Sequence, residues 1–466
     1  MKTLLSSRAR VRGMTYASVI VAMITIGTLL AAYLKMIGVQ NQLVARSQSW
    51  NRSVPILEAG TEEAIAHLNK NGSPDAAGTV DLNRMALDGW QNNGSLNGPW
   101  SKFGWINGDF YFVSITSWNG STAYMPSINS TGWVQQLPSW ASRSLHGSRG
   151  PLLAQNALSF AGYSSRTVAC ATTNNPIFNK ALVAKNGIDM NGNNVTVDSY
   201  DSSKPAFNTN GRWDEDKRRD RGDVASNDTV TNTVNVGNAN IWGRVATGPM
   251  GTVAVGSNGK VGDSAWQLGS STGIKPGWST DDMNVEFPDV VMPAGSGGWL
   301  PPVGGPNYVL TSGDYLLPSG VLSGRITIAP NANVRLRVDG GVRFNGQDGL
   351  VISSNANLKL YLNCASATFT GNGIVNGTGT PKQCQIYGTT ALKDLDIGGN
   401  GELTCVVYAP YAAVTMHGGG NSDQDFSGAG IGQSFRFTGH YMVHYDEALG
   451  NSELWRGFTI TSWNER

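Results

Sequence analysis

Charged residues are scarce in this sequence. They make up 14% of its 466 residues, against about 25% in an average soluble protein. The two signs almost cancel, leaving a net charge of +1. This composition excludes a broadly basic nucleic-acid-binding protein, so we expect no nucleic-acid partner. Disorder is excluded too, because 40% of the residues are hydrophobic and the chain holds 14 Trp, 14 Tyr and 13 Phe.

Cysteine and the common cofactor motifs are also scarce. The chain has four cysteines and no CxxC pair, which excludes a zinc ribbon and a thioredoxin-type site. No phosphate-binding loop or dinucleotide fingerprint follows a predicted strand. We therefore expect no cofactor and no metal. Glycine, by contrast, counts 59, which favours a turn-rich, mainly β protein.

The longest apolar run lies near the N-terminus. Residues Met14 to Leu34 carry no formal charge, and the first acidic residue of the chain is Glu58. At 1.5 Å per residue, 21 helical residues span about 30 Å, the thickness of the hydrocarbon core of a bilayer. The basic residues ahead of the run predict a cytoplasmic N-terminus and an exported body. A cleaved secretory signal and a buried core helix are the alternatives.

The residues before this run have a family likeness. A short basic segment, with Lys2, Arg8, Arg10 and Arg12, ends in Gly13 directly before the apolar stretch. It resembles the leader of type IV prepilins. The resemblance implies cleavage between Gly13 and Met14 by a prepilin peptidase. Major pilins carry Glu at the fifth mature position, where this chain has Ser18, so the resemblance points to a minor pilin.

The segment from Pro55 to Leu68 predicts a helix. Its residues Leu57, Ala64, Ile65 and Leu68 fall close to one face at helical spacing. The sequence Glu-Ala-Gly-x-Glu-Glu-Ala, from residue 58 to 64, resembles the segment that follows the membrane helix in PilX-like pilus-assembly proteins. We therefore expect a leader at residues 1–13 and a transmembrane and extended helix at 14–70.

Residues 71–154 predict a small pilin-like β region. Asp109 to Trp118 reads as a strand, Asn119-Gly120 as a tight turn, and Ser121 to Met125 as the returning strand. Another turn and strand are predicted from Ser127 to Val134. We expect an antiparallel sheet packed beside the helix.

Residues 155–450 contain an internal repeat. Ile328 to Val338 aligns with Ile352 to Leu362 at an offset of 24 residues, and a third copy is suggested at Tyr408 to Val414. A period of 20–50 residues indicates a solenoid, and short β-branched runs favour strands over helices. We predict a right-handed parallel β-helix, with a β-sandwich or jelly roll as the alternative. Asparagines at its corners are expected to adopt left-handed backbone.

The end of the chain adds to the likeness. Val407-Tyr-Ala-Pro410 and the stretch from His444 to Leu449 resemble the exported part of large PilX-like proteins. Residues 451–466 are predicted to cap the solenoid. The resemblance brings no catalytic residues with it.

The exported body would lie in an oxidising compartment, where cysteines form disulfides. Cys364 and Cys384 enclose a glycine-rich excursion and are the first candidate pair. Cys384 with Cys405 is the second, and free buried thiols are the remaining possibility.

Several polar clusters are candidates for a catalytic, metal-binding or partner-binding site. Acidic pairs occur at Asp281–Asp282, Asp394/Asp396 and Asp423/Asp425, but the first and last of these lack a nearby cation that would bind an acidic sugar. His440 and His444 lie on a predicted strand, where residues four apart are about 13 Å apart and too distant for one metal ion. The charged segment from Trp213 to Gly222 is predicted to be an exposed loop, with a partner contact as the alternative.

Together these observations predict a non-enzymatic, membrane-anchored envelope protein, PilX-like or minor pilin-like. The expected location is the inner membrane, crossed once, with the body exported and displayed at the cell surface or on a pilus. Its expected partners are the bilayer, pilus-like subunits and surface polysaccharide, with adhesion or assembly as its role. The alternatives are a membrane-tethered polysaccharide lyase or hydrolase, and a plain surface-layer protein.

Overall fold

The chain forms two compact units in the computed structural model. The first contains Met1–Gly72, Asp81–Asn174 and Phe458–Arg466, and the second contains Ser73–Val80 and Asn175–Gly457. The structure describes residues 9–72, 82–92, 99–116, 125–135, 163–192, 194–290, 292, 298–299, 308–370, 374–377, 379–398, 402–418, 425–451 and 455–466.

The chain is mainly β with one long helix at its N-terminus. The helices are α1 (Ala9–Asn71) and α2 (Ser264–Leu268), with 3₁₀ turns at Leu82–Ala86, Pro205–Phe207, Glu215–Lys217, Pro381–Gln383 and Glu447–Asn451. The described strands are β1 (Gln91–Asn92), β2 (Trp100–Ile106), β3 (Asp109–Thr116), β4 (Ser127–Gln135), β5 (Tyr163–Pro176), β6 (Leu182–Ala184), β7 (Ile188–Asp189), β8 (Thr196–Tyr200), β9 (Val224–Ser226), β10 (Val234–Gly237), β11 (Asn240–Trp242), β12 (Val245–Ala246), β13 (Val253–Val255), β14 (Lys260–Gly262), β15 (Gly273–Ile274), β16 (Ser279–Thr280), β17 (Gly298–Trp299), β18 (Tyr308–Leu310), β19 (Gly313–Leu317), β20 (Val321–Leu322), β21 (Arg325–Ile328), β22 (Asn333–Val338), β23 (Gly341–Phe344), β24 (Gly349–Ile352), β25 (Asn357–Leu362), β26 (Ser366–Phe369), β27 (Ile374–Asn376), β28 (Cys384–Gly388), β29 (Asp394–Gly398), β30 (Leu403–Gly418), β31 (Phe426–Gly439), β32 (Met442–Asp446) and β33 (Trp455–Glu465).

The long helix α1 has two chemically different halves. From Tyr16 to Val44 its large apolar side chains are exposed, with Met23 at 68% and Ile26 at 65%. By length and composition this helix is apolar enough to cross a membrane. The helix therefore fits a single-pass membrane anchor.

The second half of α1 packs on a six-stranded sheet. The sheet order is β1-β2-β3-β4-β5-β33, and the described pairs from β1 to β5 are antiparallel. Leu57, Ala64 and Leu68 are fully buried, so the apolar face predicted from helical spacing is confirmed for them. Ile65 at that face is only partly buried. The predicted strands at Asp109 and Ser127 are confirmed too, while residues 117–124 lie outside the described part.

The last strand belongs to this first sheet. Trp455–Glu465 lies beside β5, so the second unit is inserted between two neighbouring strands of the first. This differs from the predicted cap at 451–466. Hydrophobic alternation in a short terminal strand does not reveal its pairing partner, because a strand far along the chain can return to any free sheet edge.

The second unit is built from parallel strands. It contains a 23-stranded sheet and a four-stranded sheet with the order β18-β21-β24-β27. In much of the unit each strand pairs with the strand three places along the chain: β22 with β25, β23 with β26, and β24 with β27. Long connections between such partners are expected, because parallel neighbours cannot be joined by a tight hairpin.

The repeat in the sequence sets the register of this unit. Asn333 pairs with Asn357 and Val338 with Leu362, which is the predicted offset of 24 residues. The corner residues Asn331 and Asn355 have φ of 60° and 56°, as expected for left-handed asparagine. The third suggested copy was wrong in register: Tyr408 lies opposite Tyr387 of β28 and Val414 opposite Leu395 of β29, so its two ends pair with different strands.

Candidate functional site

The predicted processing site lies near the start of α1. Gly13 and Met14 are part of the continuous helix Ala9–Asn71. Cleavage between them remains a prediction.

The acidic segment from Glu58 to Ala64 of α1 contacts the first sheet. Gly60 lies so close to β3 and β4 that an added Cβ would sit 2.5 Å from Ser130 Oγ and 2.8 Å from the ring of Tyr111. Glu63 accepts a hydrogen bond from the Tyr111 hydroxyl and pairs with Lys102. Burial, followed by this carboxylate, raises the pKa of Tyr111. The segment seats the helix on its sheet, whereas Glu58 and Glu62 point to solvent.

A continuous row of polar side chains crosses the second unit. Seven parallel strands place one outward residue each in direct register, and we call these residues the polar row: Arg343, Thr368, Asp396, Thr415, Arg436, Asp189 and Asn235. Their neighbours along each strand point inward and are buried. With about 4.8 Å between strands, the row is roughly 29 Å long.

The polar row has two exposed cations, Arg343 and Arg436. No described carboxylate lies within ion-pair distance of Arg436. A pocket of about 240 Å³ beside it is lined by Asp189, Asn191 and Thr438, among others. Asp189 accepts a hydrogen bond from Asn235 at 3.1 Å. The sequence pattern gives no signal for this arrangement, because Arg436 and Asp189 are far apart in the chain.

The predicted acidic pair Asp394/Asp396 lies at this surface. Both residues point outward from β29, two positions apart, which separates them by roughly 7 Å. Asp396 Oδ1 is 2.9 Å from His417 Nε2. Gly398 leaves the space for that imidazole, since an added Cβ would lie 2.2 Å from its Cε1.

The other predicted candidates are dispersed. Asp281 and Asp282 are exposed beyond β16, away from the described carboxylate clusters. Asp425 is buried and accepts a hydrogen bond from the Met442 backbone at 2.9 Å, while Asp423 lies outside the described residues. His440 Nδ1 is 3.9 Å from Asp425 Oδ2.

A buried ionic cluster was missed by sequence reasoning. Asp198 is fully buried, 2.6 Å from His444 Nδ1 and 2.8 Å from Arg218 Nε. Trp213 stacks on the His444 ring with centroids 3.9 Å apart. The segment from Trp213 to Gly222, predicted as an exposed loop, thus packs its aromatic ring and one arginine inward. Its buried partners come from two other strands, Asp198 from β8 and His444 from β32, which the charge pattern alone cannot reveal.

The carboxylates next to this cluster are shifted by their surroundings. Burial raises the pKa of Asp446, against two hydrogen bonds from Ser202. Burial also raises the pKa of Glu447, although Ser199, Arg219 and Arg221 all stabilise its charged form. Both groups pack the second unit and lie apart from the polar row.

The four cysteines are buried, and no disulfide joins them in this structure. The strand register places the two members of the first predicted pair, Cys364 and Cys384, apart. Cys384 lies opposite Leu358, whereas Cys364 follows Leu362, which lies opposite Gly388. Four residues along a strand already separate the two positions by about 13 Å, too far for a disulfide. Burial raises the pKa of Cys364 to about 11.

Comparison with known proteins gives limited information. A family described as "Domain of unknown function (DUF7305)" matches residues 303–452, which is less than half of the chain. No curated protein matches the sequence. The crystal structure of the competence-associated pilin ComZ from Thermus thermophilus aligns over 90% of this chain and 97% of that chain, with 10% sequence identity and a TM-score of 0.28. A score of this size does not establish a shared fold.

Proposed function

We propose that this chain is a non-enzymatic, membrane-anchored envelope protein of the minor pilin or PilX-like kind. The observation that carries the proposal is the division of α1. Its first half exposes an apolar surface from Tyr16 to Val44, and its second half is seated on an antiparallel sheet. A helix that is apolar all round needs lipid or other apolar helices as its surroundings. The bilayer and the helices of pilus-like subunits are therefore its partners.

The charge around the apolar half supports one orientation. The basic residues of the leader precede it and the first carboxylate, Glu58, follows it. Positive residues are retained on the cytoplasmic side, so the protein crosses the inner membrane once and exports both compact units. Display at the cell surface, or on a pilus, follows from this orientation.

For the second unit we propose the architecture of a right-handed parallel β-helix. Three observations support it: parallel pairing, pairing of each strand with the one three places on, and left-handed asparagines at equivalent corners. Antiparallel pairing, which a sandwich or jelly roll requires, does not occur among the described strand pairs of this unit's two sheets. A β-helix gives a rigid surface with one residue of each strand at a fixed spacing.

The polar row is our proposed contact surface for a surface polysaccharide. Its arginine, carboxylate, hydroxyl and amide groups are hydrogen-bonding groups suited to sugar hydroxyls. Its length of roughly 29 Å accommodates several sugar units on strands about 4.8 Å apart. Adhesion through this row needs neither a cofactor nor a metal.

The anchor proposal is tested by the mature N-terminus. Intact mass is measured for the chain expressed with and without a prepilin peptidase. We expect a peptidase-dependent terminus at Met14, blocked by Gly13→Leu and unaffected by Gly27→Ala, whose added Cβ meets nothing within 4 Å. A leader that stays intact in both strains would contradict the pilin-like assignment and leave a tethered surface protein.

One observation favours the alternative of a polysaccharide hydrolase. The roughly 7 Å between Asp394 and Asp396 lies within the range of the two carboxylates of inverting glycosidases. Reducing-end release from uronic-acid polymers is the assay, with Asp394→Asn and Asp396→Asn as variants. Turnover that both variants abolish would replace adhesion with catalysis, whereas binding without turnover would support the adhesion proposal.

A further inference from the structure

Two cysteines lie directly opposite each other on neighbouring parallel strands. Gln385 of β28 pairs with Val406 of β30, and the next two residues of each strand continue the same register. One step earlier, Cys384 therefore faces Cys405. In-register residues of neighbouring strands are about 4.8 Å apart at Cα, within the 4.4–6.8 Å that disulfides span.

Their side chains point to the same side. Cys384, Ile386 and Gly388 are the buried positions of β28, alternating with partly exposed ones. Cys384 and Cys405 are both fully buried. The two thiols interact with each other, and burial, followed by this contact, raises the pKa of Cys405.

The other two cysteines have different surroundings. The Cys364 thiol donates to the Ser366 carbonyl at 3.3 Å. Cys170 belongs to the first compact unit, where Thr61 of α1 is its hydrogen-bonding neighbour. Neither is opposite another cysteine in the described register.

We propose that Cys384 and Cys405 form a disulfide that links two successive strands of the parallel sheet once the body reaches an oxidising compartment. The pairing geometry is independent of the anchor, but the compartment rests on the proposed export. The bond would close the excursion between β28 and β30, and so stabilise the unit by restricting its unfolded chain.

The oxidant is a disulfide-carrying thiol oxidant, such as oxidised glutathione or an envelope dithiol oxidase. The thiolate of one cysteine attacks the oxidant's disulfide, forming a mixed disulfide and releasing one thiol. The second thiolate then attacks the mixed disulfide, forms the Cys384–Cys405 bond and releases the second thiol. Two protons and two electrons pass to the oxidant.

The burial of both thiols fixes when this reaction occurs. Cys405, whose pKa is raised, holds little thiolate, and burial shields both thiols from the oxidant. Oxidation therefore accompanies folding. We expect a folded, reduced protein to react slowly with oxidised glutathione, and the same protein refolding in that reagent to react quickly.

The test is disulfide mapping of the full chain in detergent. The protein is denatured and reduced, refolded with oxidised glutathione, alkylated under denaturing conditions and digested. We expect one linked peptide pair containing Cys384 and Cys405, with Cys170 and Cys364 alkylated. Cys384→Ser should abolish the pair, and the matched variant Cys364→Ser should leave it unchanged.

Stability gives a second measurement. With a loop of this length, reduction is expected to lower the folding equilibrium constant of the second unit roughly a hundredfold. The double variant Cys384→Ala/Cys405→Ala should show no such response to reductant. Alkylation of both residues after oxidative refolding, or a Cys364–Cys384 link, would overturn the proposal.

Failure of export is a separate outcome. Refolding in detergent does not depend on the membrane orientation, so the mapped pair tests the geometry alone. Mapping the protein isolated from cell envelopes then tests the compartment. A pair that forms in detergent but is absent in envelopes would contradict the export proposal, and with it the disulfide in the cell.

Discussion

Gly132 of β4 provides the sharpest test of how α1 is seated. An alanine Cβ at this position would lie 2.8 Å from Leu57 N and 2.8 Å from Ser53 O. Both are backbone atoms of the helix, so the clash cannot be relieved by a rotamer change. Gly132→Ala must push the helix and the strand apart.

The expected cost follows from two opposing effects. Overpacking a well-packed interface costs about 1–3 kcal/mol. Removing a glycine stabilises by about 0.4–1 kcal/mol through the unfolded chain. Because both clashing atoms are backbone, the upper end of the first range applies, and about 3 kcal/mol less about 1 kcal/mol leaves a destabilisation of about 2 kcal/mol.

Hydrogen exchange measured by mass spectrometry is the assay, because two compact units are not expected to unfold as one transition. A loss of about 2 kcal/mol should speed exchange of peptides around residues 53–64 roughly 30-fold, since 1.4 kcal/mol is tenfold. The control is Gly341→Ala, whose added Cβ makes an ordinary contact of 3.6 Å with Val321. Wild-type exchange in Gly132→Ala would refute the close approach of α1 to β4.

Three further perturbations test other parts of the molecule. Leu360→Ala, in the fully buried column of β25, should lower the free energy of unfolding of the second unit by about 2–5 kcal/mol in denaturant. Lys359→Ala, at its outward neighbour, should change that free energy by less than about 0.5 kcal/mol. Equal effects would contradict the inward–outward alternation. Asp198→Asn removes the carboxylate charge that pairs with Arg218 at 2.8 Å and should destabilise the folded segment by about 3–5 kcal/mol. The measurement is proteolysis between residues 201 and 222, which should become faster. Unchanged cleavage would contradict a buried pair that holds this segment in place. Burial lowers the pKa of His67, so the unfolded chain takes up its proton first; the stabilisation is present above the unfolded pKa and is lost as pH falls through and below it. The midpoint temperature for thermal unfolding of the first unit should therefore fall on acidification from pH 7 toward 5, and it should fall by less in His67→Phe. Equal pH dependence of the two proteins would contradict this.

The repeat shows how much of the strand pairing can be predicted from the sequence. The 24-residue offset predicted the pairing of β22 with β25. Two strands with the same apolar–polar alternation pair in matching register, because a slip by one residue would turn the buried side chains of one strand to the outside. Asparagine at the corners added a local signal, since it tolerates positive φ better than other non-glycine residues. The third suggested copy failed because Tyr408 pairs with β28 and Val414 with β29, and the linear sequence does not show which neighbouring strand a residue joins.

The candidate sites divide in the same way. The acidic pair Asp394/Asp396 was recognisable because both residues lie on one strand. Arg436, His417 and Asp189 join it only through strand pairing, so their contribution was invisible in the linear order. The cysteines show the same limit: the glycine-rich excursion between them favoured Cys364 for Cys384, whereas the register brings Cys405 opposite Cys384.

By itself the sequence determined the features that depend on local chemistry. These are an apolar N-terminal helix, an amphipathic continuation of it, and repeated strands with asparagine corners. The tertiary structure alone decided three things. It returned Trp455–Glu465 to the first sheet, it stacked Trp213 on His444, and it aligned the polar row across seven strands. Each depends on contacts between residues far apart in the chain, and hydrophobic periodicity specifies which face is buried but not which distant strand covers it.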